Sequence, residues 1–300
     1  MDVDVGQGIR QIQSLRTFAK GDEPDFMTAL ASEIPPHGKW SVTNTLTQFA
    51  LQVAKLRTLS DSLVCHERSE STIRAILDLI KRCQDLNTLL VTWRETIPEI
   101  WKYTSRSYDS EPDNFDCETS EVYPGNVDGY PDIWVARTWN AYRTTRIFVQ
   151  AIILRCVVWV AGGDTWGQCV GFQVAVALQA RQIIKESVDE ICASVPFHLG
   201  HCTTTLLRDT VKLGDSLDTN TTDGQEDMTT KHLGGYFLLW PLCVARSTRV
   251  ISQEQARWIT TRLLYIAGDF GLDETLVLKE LNEHPIQALF GAPPTFGTFL

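Results

Sequence analysis

The sequence predicts an all-α protein built as a single large helical domain. Apolar residues recur every three or four positions through most of the chain, breaker residues separate these stretches, and no stretch shows the alternation of a half-buried strand. With 300 residues, of which 43% are hydrophobic and 21% charged, the chain is able to bury a sizeable core. We therefore expect helices packed ridge into groove over residues 40–300, after a flexible lead-in over residues 1–39.

The first two predicted helices follow the lead-in. Apolar residues at helical spacing predict one helix from Ser41 to about Leu59. A second helix should begin near Ser69, whose hydroxyl can cap a helix N-terminus, and it should end before Pro98. Both helices present one apolar face, so we expect each to lie against a common core.

Residues 106–131 are predicted to form an acidic loop. Between Arg106 and Arg137 there is no lysine or arginine, whereas eight acidic residues accumulate among prolines and glycines. Aromatic residues interleave with these acids at Tyr108, Phe115, Tyr123 and Tyr130. Two interpretations stay open: a loop pinned to the body by its rings, which we favour, or an acidic and aromatic interaction segment of the activation type.

A long central helix is predicted after this loop. Pro131 suits the first helical position, because its missing N–H would be unpaired there, and Asp132 suits the positive end of the helix. The helix should reach about Gly162 and be buried over most of its girth. Residues 214–230 are predicted to form an exposed loop. Pro196 should close the helix that follows the central one, and the further predicted helices are Trp166–Ser194, Leu206–Leu213, Tyr236–Ser247, Gln253–Ala267 and Asp273–Glu283.

Charge and hydropathy exclude several classes of protein. A net charge of −10 and an isoelectric point near 5.1 argue against a broad basic surface for nucleic acid or anionic lipid. The most membrane-like window, Ile147–Gly162, is shorter than the roughly 20 residues that a membrane span requires. Eight cysteines without any C-x-x-C pair, and no secretory signal, indicate reduced thiols. We expect a soluble intracellular protein, nuclear or cytoplasmic, without a membrane partner.

The sequence lacks the common catalytic and cofactor signatures. There is no nucleophile elbow, phosphate loop, zinc-protease helix or dinucleotide-binding glycine pattern, so we expect no cofactor and favour a non-enzymatic protein. A cluster of Cys192, His198, His201 and Cys202 has zinc-type donors, but the spacing does not match a zinc finger, and we favour packed thiols beside a hydrogen-bonded imidazole. We expect no metal.

One group of residues suits an internal ligand pocket. Polar and aromatic side chains lie on helices whose other residues are predicted to be buried in the core. A few hydrogen-bonding groups among apolar ones can orient a small molecule. The structural alternative, in which buried arginines bond carbonyls and carboxylates and tryptophans fill the core, is favoured over the pocket. The candidate pocket residues are Trp139, Arg143, Arg146, His198 and Trp240.

Four segments, in order and spacing, carry a family resemblance. The first runs from Tyr123-Pro124-Gly125 through Trp139-Asn140 to Arg146-Ile147, and the others are Ile191–Gly200, Gly234–Leu242 and Arg257–Ile259 with Phe270-Gly271. Together they resemble the carboxy-terminal regulatory region of fungal zinc binuclear cluster (Zn2Cys6) transcription factors, over about Trp40–Leu281. The resemblance implies an all-helical part that restrains activation, binds partners and in some members senses small molecules.

This chain departs from that family at the DNA-binding module. Family members carry six cysteines in two closely spaced clusters that hold two zinc ions, and none of the eight cysteines here has that spacing. Direct DNA binding is therefore not expected of this chain. We expect a transcription-factor-like regulatory protein that acts through contacts with the transcription machinery or co-regulators, with a small-molecule effector left open. The alternative is a small-molecule-binding or enzymatic protein of a biosynthetic pathway on the same scaffold.

Overall fold

A computed structural model of the chain describes residues 40–108, 115–162, 171–200 and 223–271. Over these residues it confirms the all-α prediction, with six α-helices, one 3-10 turn and one short two-stranded sheet. The elements are α1 (Trp40–Val64), α2 (Glu70–Thr96), a 3-10 turn (Glu99–Trp101), β1 (Thr104–Tyr108), β2 (Gly125–Gly129), α3 (Ile133–Ala161), α4 (Phe172–His198), α5 (Asp223–Ser247) and α6 (Gln253–Asp269).

The first two helices form where the sequence predicts them. The Ser69 hydroxyl caps α2 by accepting a hydrogen bond from the Thr72 amide at 3.2 Å. At the other end Ile97 is extended, because a residue before proline avoids the helical region, and α2 therefore stops ahead of Pro98. Helix α1 continues five residues beyond the predicted end, to Val64.

The central helix α3 begins at Ile133, two residues later than predicted. Asp132 is the N-cap and its carboxylate accepts hydrogen bonds from the amides of Trp134 and Val135, both at 2.9 Å, so Pro131 precedes the cap. Gly162 ends the helix with a φ of 82°, a left-handed conformation that glycine adopts without strain. Of its 29 residues 21 are buried, and α3 packs against α1, α2, α4 and α5.

One predicted helix end is wrong because a proline lies inside the helix. Pro196 does not stop α4, which continues to His198, whereas α5 runs through Pro241 to Ser247, its predicted end. A proline removes one N–H donor from a helix, but tight packing around these turns outweighs that loss: Val195 and Leu242 are fully buried. Helix α5 also begins at Asp223, so residues 223–230 of the predicted exposed loop are helical.

Several predicted segments lie outside the described residues. These are the lead-in over residues 1–39, the first part of the helix predicted from Trp166, residues 214–222 of the exposed loop, and the helices at Leu206–Leu213 and Asp273–Glu283.

The sequence did not predict the small sheet. Strand β1 pairs antiparallel with β2, with Thr104 opposite Gly129 and Tyr108 opposite Gly125, at the two ends of the predicted acidic loop. Four of the five residues of β1 are exposed, and β2 carries two glycines, so neither strand shows an apolar alternation that could be recognised. Strand β2 packs on α4.

Helix α3 is long and apolar enough to cross a membrane by length and composition. The predicted membrane-like window, Ile147–Gly162, is therefore too short, because the apolar helix has 29 residues. However, 78% of its most apolar window is buried inside the protein. Its side chains are covered by neighbouring helices, as in the core helix of a soluble protein.

Candidate functional site

A buried polar network surrounds Arg143 at the centre of α3. The guanidinium is fully buried and lies near the rings of Tyr103 and Tyr130, with its central carbon 5.2 Å and 5.8 Å from the ring centres. It donates hydrogen bonds to Asp128 at 2.9 Å and to the Tyr130 hydroxyl at 2.7 Å. The carboxylate of Glu190 accepts from Nε at 3.3 Å. The network thus joins the segment around β2 to α3 and α4.

The electrostatics of this network hold Arg143 in its charged form. Burial alone would lower the pKa of Arg143, but Tyr130, Glu190, Tyr103 and Asp128 together raise it well above its ordinary value. Burial raises the pKa of the Tyr130 hydroxyl, although the adjacent arginine acts in the opposite direction. The tyrosine is therefore a neutral hydrogen-bond donor, and its hydroxyl donates to Asp128 at 2.9 Å.

His198 joins the same network through Asn140. The Asn140 side-chain oxygen accepts from Arg143 at 2.9 Å, and its amide nitrogen donates to the Ser194 hydroxyl at 2.9 Å and faces His198 Nε2 at 3.2 Å. Because the amide donates to Nε2, the neutral imidazole carries its proton on Nδ1. Burial, with a further contribution from Arg143, lowers the pKa of His198 to about 3, while a contact with the Gly234 backbone acts weakly the other way.

Nδ1 of His198 makes no hydrogen bond of normal geometry within the described residues. Helix α5 crosses the end of α4 closely here, since a Cβ placed on Gly234 would overlap the carbonyl oxygen of His198. The imidazole is 1% exposed. It therefore acts as a neutral, packed side chain at a tight crossing of two helices.

Trp139 lies four residues before Arg143 on α3, and Arg146 lies three residues after it. The Trp139 indole donates to the Trp101 carbonyl at 2.7 Å, and its ring stands edge-on to Tyr103 at 4.8 Å. Arg146 donates to the Asn87 side chain at 3.4 Å and lies over the ring of Tyr142 at 5.7 Å. Both side chains therefore contact protein groups on the side of α2 and the 3-10 turn.

The structure brings together some of the candidate pocket residues. Arg143 and Trp139 both contact the ring of Tyr103, and Arg143 and His198 both contact Asn140. Trp139, Arg143 and His198 therefore belong to one cluster. Trp240 instead stacks on Phe148 of α3, with ring centres 5.9 Å apart. A ligand pocket at these residues stays a prediction, and the observed contacts are those of the structural alternative.

Sequence reasoning missed the acidic partners of Arg143. Glu190, on α4, lies 47 positions from Arg143 in the sequence, and nothing in its local pattern marks it. Asp128 had a weak signal, because it is one of the acids in the predicted acidic loop and lies two residues before Tyr130. Its burial, to 2% exposure, could not be read from the composition of the loop.

The predicted loop is pinned to the helical body. The Trp258 indole on α6 donates to the carbonyl of Ser120 at 2.8 Å, and its ring lies 5.3 Å from that of Tyr123. Phe115 packs edge-on against Tyr123 at 5.4 Å. Together with the burial of Tyr130, these contacts confirm the pinned interpretation for residues 115–130.

The zinc-type cluster is only partly within the described residues. Burial raises the pKa of the Cys192 thiol, which opposes the thiolate form that binds metal, and His198 Nε2 is used by Asn140. His201 and Cys202 lie outside the described residues. Among the residues that are described, no three histidine, cysteine or acidic side chains are grouped so that they could hold a metal ion.

Comparison with known proteins supports a relationship to fungal transcription factors. The chain is 22% identical over 236 residues to a protein named Transcription factor dbaG from Emericella nidulans. The match covers 79% of this chain and 51% of the relative, so the chain spans about half the length of that protein. No protein-family model and no solved structure matches the chain.

Proposed function

We propose that this chain is a regulatory protein of transcription whose helical body acts through contacts with other proteins. The similarity to Transcription factor dbaG over 79% of the chain carries this proposal. The four segments that resemble the regulatory region of zinc binuclear cluster factors lie mainly on α3, α4, α5 and α6, the helices that form the core. The proposed place of action is the nucleus, and a role in secondary metabolism would follow from the same resemblance.

The proposal assigns DNA contact to a partner protein. None of the eight cysteines in these 300 residues has the spacing of a zinc binuclear cluster. The net charge of −10 opposes binding to phosphates, because affinity for DNA comes largely from lysine and arginine that displace counterions. Acidic and aromatic groups on the surface instead suit recognition of basic and apolar protein surfaces.

A tethered reporter assay tests this function. The chain is fused to a foreign DNA-binding domain and placed upstream of a reporter gene in a fungal host. We expect transcription to change by at least about tenfold in either direction relative to the DNA-binding domain alone. A stably expressed fusion that leaves transcription unchanged on both basal and activated promoters would contradict the proposal.

A small-molecule-binding or enzymatic protein is the second candidate function. The observation that favours it is the buried Nδ1 of His198, a polar atom without a normal hydrogen bond beside the charged Arg143. The test is thermal unfolding of the chain with a panel of small carboxylic acids and aromatic metabolites, because a ligand that binds only the folded state raises the melting temperature. A rise that is lost in Arg143→Lys would support it, and no rise with any compound would exclude it.

A further inference from the structure

We propose that the acidic arm, defined as Thr104–Tyr108 together with Phe115–Tyr130, is a releasable segment that binds a protein partner. In the structure it is docked on the helical body, and in the released state its acids and aromatic rings become available together. The inference rests on the proposed function, because such a segment matters only if the chain works through protein partners. Docking and release are the two states of a segment whose order can switch.

The order of the arm depends on its docking. Strand β1 exposes four of its five residues and is held in place through β2. A hairpin of two five-residue strands is only marginally stable by itself in water. The arm is therefore ordered because Val127, Asp128 and Tyr130 are buried against the helices. Weakening that burial should loosen the arm before it loosens the core.

Asp128 provides the ionic attachment. Its carboxylate accepts from Arg143 and from the Tyr130 hydroxyl, both at 2.9 Å, in a site where Asp128 is only 2% exposed. Arg143 has a second carboxylate, Glu190, at 3.3 Å. Removing the charge of Asp128 therefore does not leave a buried arginine without a counter-ion, and the helices should stay folded.

Trp258 on α6 provides the second attachment. Its indole N–H bonds the Ser120 carbonyl at 2.8 Å and its ring packs on Tyr123. Release would free the rings of Tyr123 and Phe115 beside acids that are already exposed, Asp116, Glu118 and Glu121. This chemistry fits a protein partner with an apolar groove and a basic rim, since the rings would fill the groove and the carboxylates would pair with the rim.

Amide hydrogen exchange on the whole chain tests the release. In Asp128→Asn we expect the amides of β2 to exchange about tenfold faster, because a charge-assisted hydrogen bond is lost, while the amides of α3 keep their protection. The matched control is Glu118→Gln, which removes the same charge from an exposed position of the arm and should leave exchange unchanged. Unchanged exchange in Asp128→Asn, or equal acceleration throughout α3, would overturn the proposal.

The tethered reporter assay tests the partner. Asp128→Asn should raise activation several-fold over the wild-type fusion, and adding Glu118→Gln should reduce that gain, because the released acids make the contact. A released arm that leaves transcription unchanged would overturn the partner assignment. If the wild-type fusion already fails to change transcription, the proposed function fails instead, whereas the exchange experiment judges the arm independently of transcription.

Discussion

At the scale of single residues, the buried polar groups are there to join helices. Arg143, Asn140 and His198 form one chain of contacts from the segment around β2 to the crossing of α4 and α5. The sequence identified Arg143 and His198 as special but left open whether they bind a ligand or support the fold. Only their partners decide between these interpretations, and a partner such as Glu190 is distant in sequence.

Gly234 should be the least replaceable glycine among the described helices. A methyl group there would overlap the His198 carbonyl oxygen, a backbone atom that cannot move aside. We expect Gly234→Ala to lower the free energy of unfolding by about 3 kcal/mol, measured by urea denaturation. The control is Gly268→Ala in α6, where a Cβ meets nothing within 4 Å and alanine should add about 0.5 to 1 kcal/mol. Equal stability of the two variants would contradict this account of the crossing.

His198 should make the protein less stable in mild acid. Its pKa is about 3 in the folded chain, below the ordinary value of 6.5, so the unfolded chain binds the extra proton between these pH values. The stability that this neutral imidazole contributes is therefore fully present above about pH 6.5 and falls as the pH is lowered toward 3. Between pH 7 and pH 5 we expect a loss of about 2 kcal/mol that His198→Asn lacks.

The measurement for this prediction is the free energy of unfolding at both pH values. Replacement of the exposed His66 by glutamine is the matched control and should retain the loss seen in the wild type. A wild-type protein and a His198→Asn variant with the same dependence on pH would contradict the assignment of this loss to His198.

At the scale of elements, helix periodicity and caps could be read from the sequence, but the end of a helix that continues through a proline could not. The helical pattern, the Ser69 cap and the stop before Pro98 depend on neighbours in the chain, and they were predicted correctly. Pro196 was expected to end α4 but lies inside it, because tertiary packing outweighs the local cost of a proline, and this packing is not visible in a local window. The β1–β2 hairpin was missed for the same reason.

The cap of the central helix gives an element-scale prediction. Asp132 accepts hydrogen bonds from two amides at the start of α3, where the sequence predicted Pro131 as the first helical residue. We expect Asp132→Ala to reduce the free energy of unfolding by about 1 to 2 kcal/mol, and Asp132→Ser to recover part of that loss. Urea denaturation of the two variants measures the difference. An alanine variant as stable as the serine variant would show that the cap contributes nothing.

At the scale of the whole molecule, the chain has a helical body, and its 300 residues carry a net charge of −10. Helix α3 lies at its centre, α1, α2, α4 and α5 pack around it, and the acidic arm is docked on α3, α4 and α6. The all-α class followed from composition and periodicity alone. The function did not, because the sequence lacks the common catalytic signatures and the similarity to a transcription factor consists of dispersed segments and 22% identity.

The central claim is that this body works on proteins and leaves DNA contact to a partner. The most direct test is fluorescence anisotropy of labelled promoter DNA titrated with the purified chain at about 150 mM salt, with a basic DNA-binding domain as the positive control. We expect no saturable binding, because a chain with a net charge of −10 gains little from the release of counterions from DNA. Sequence-selective binding that weakens steeply as salt is raised would contradict it.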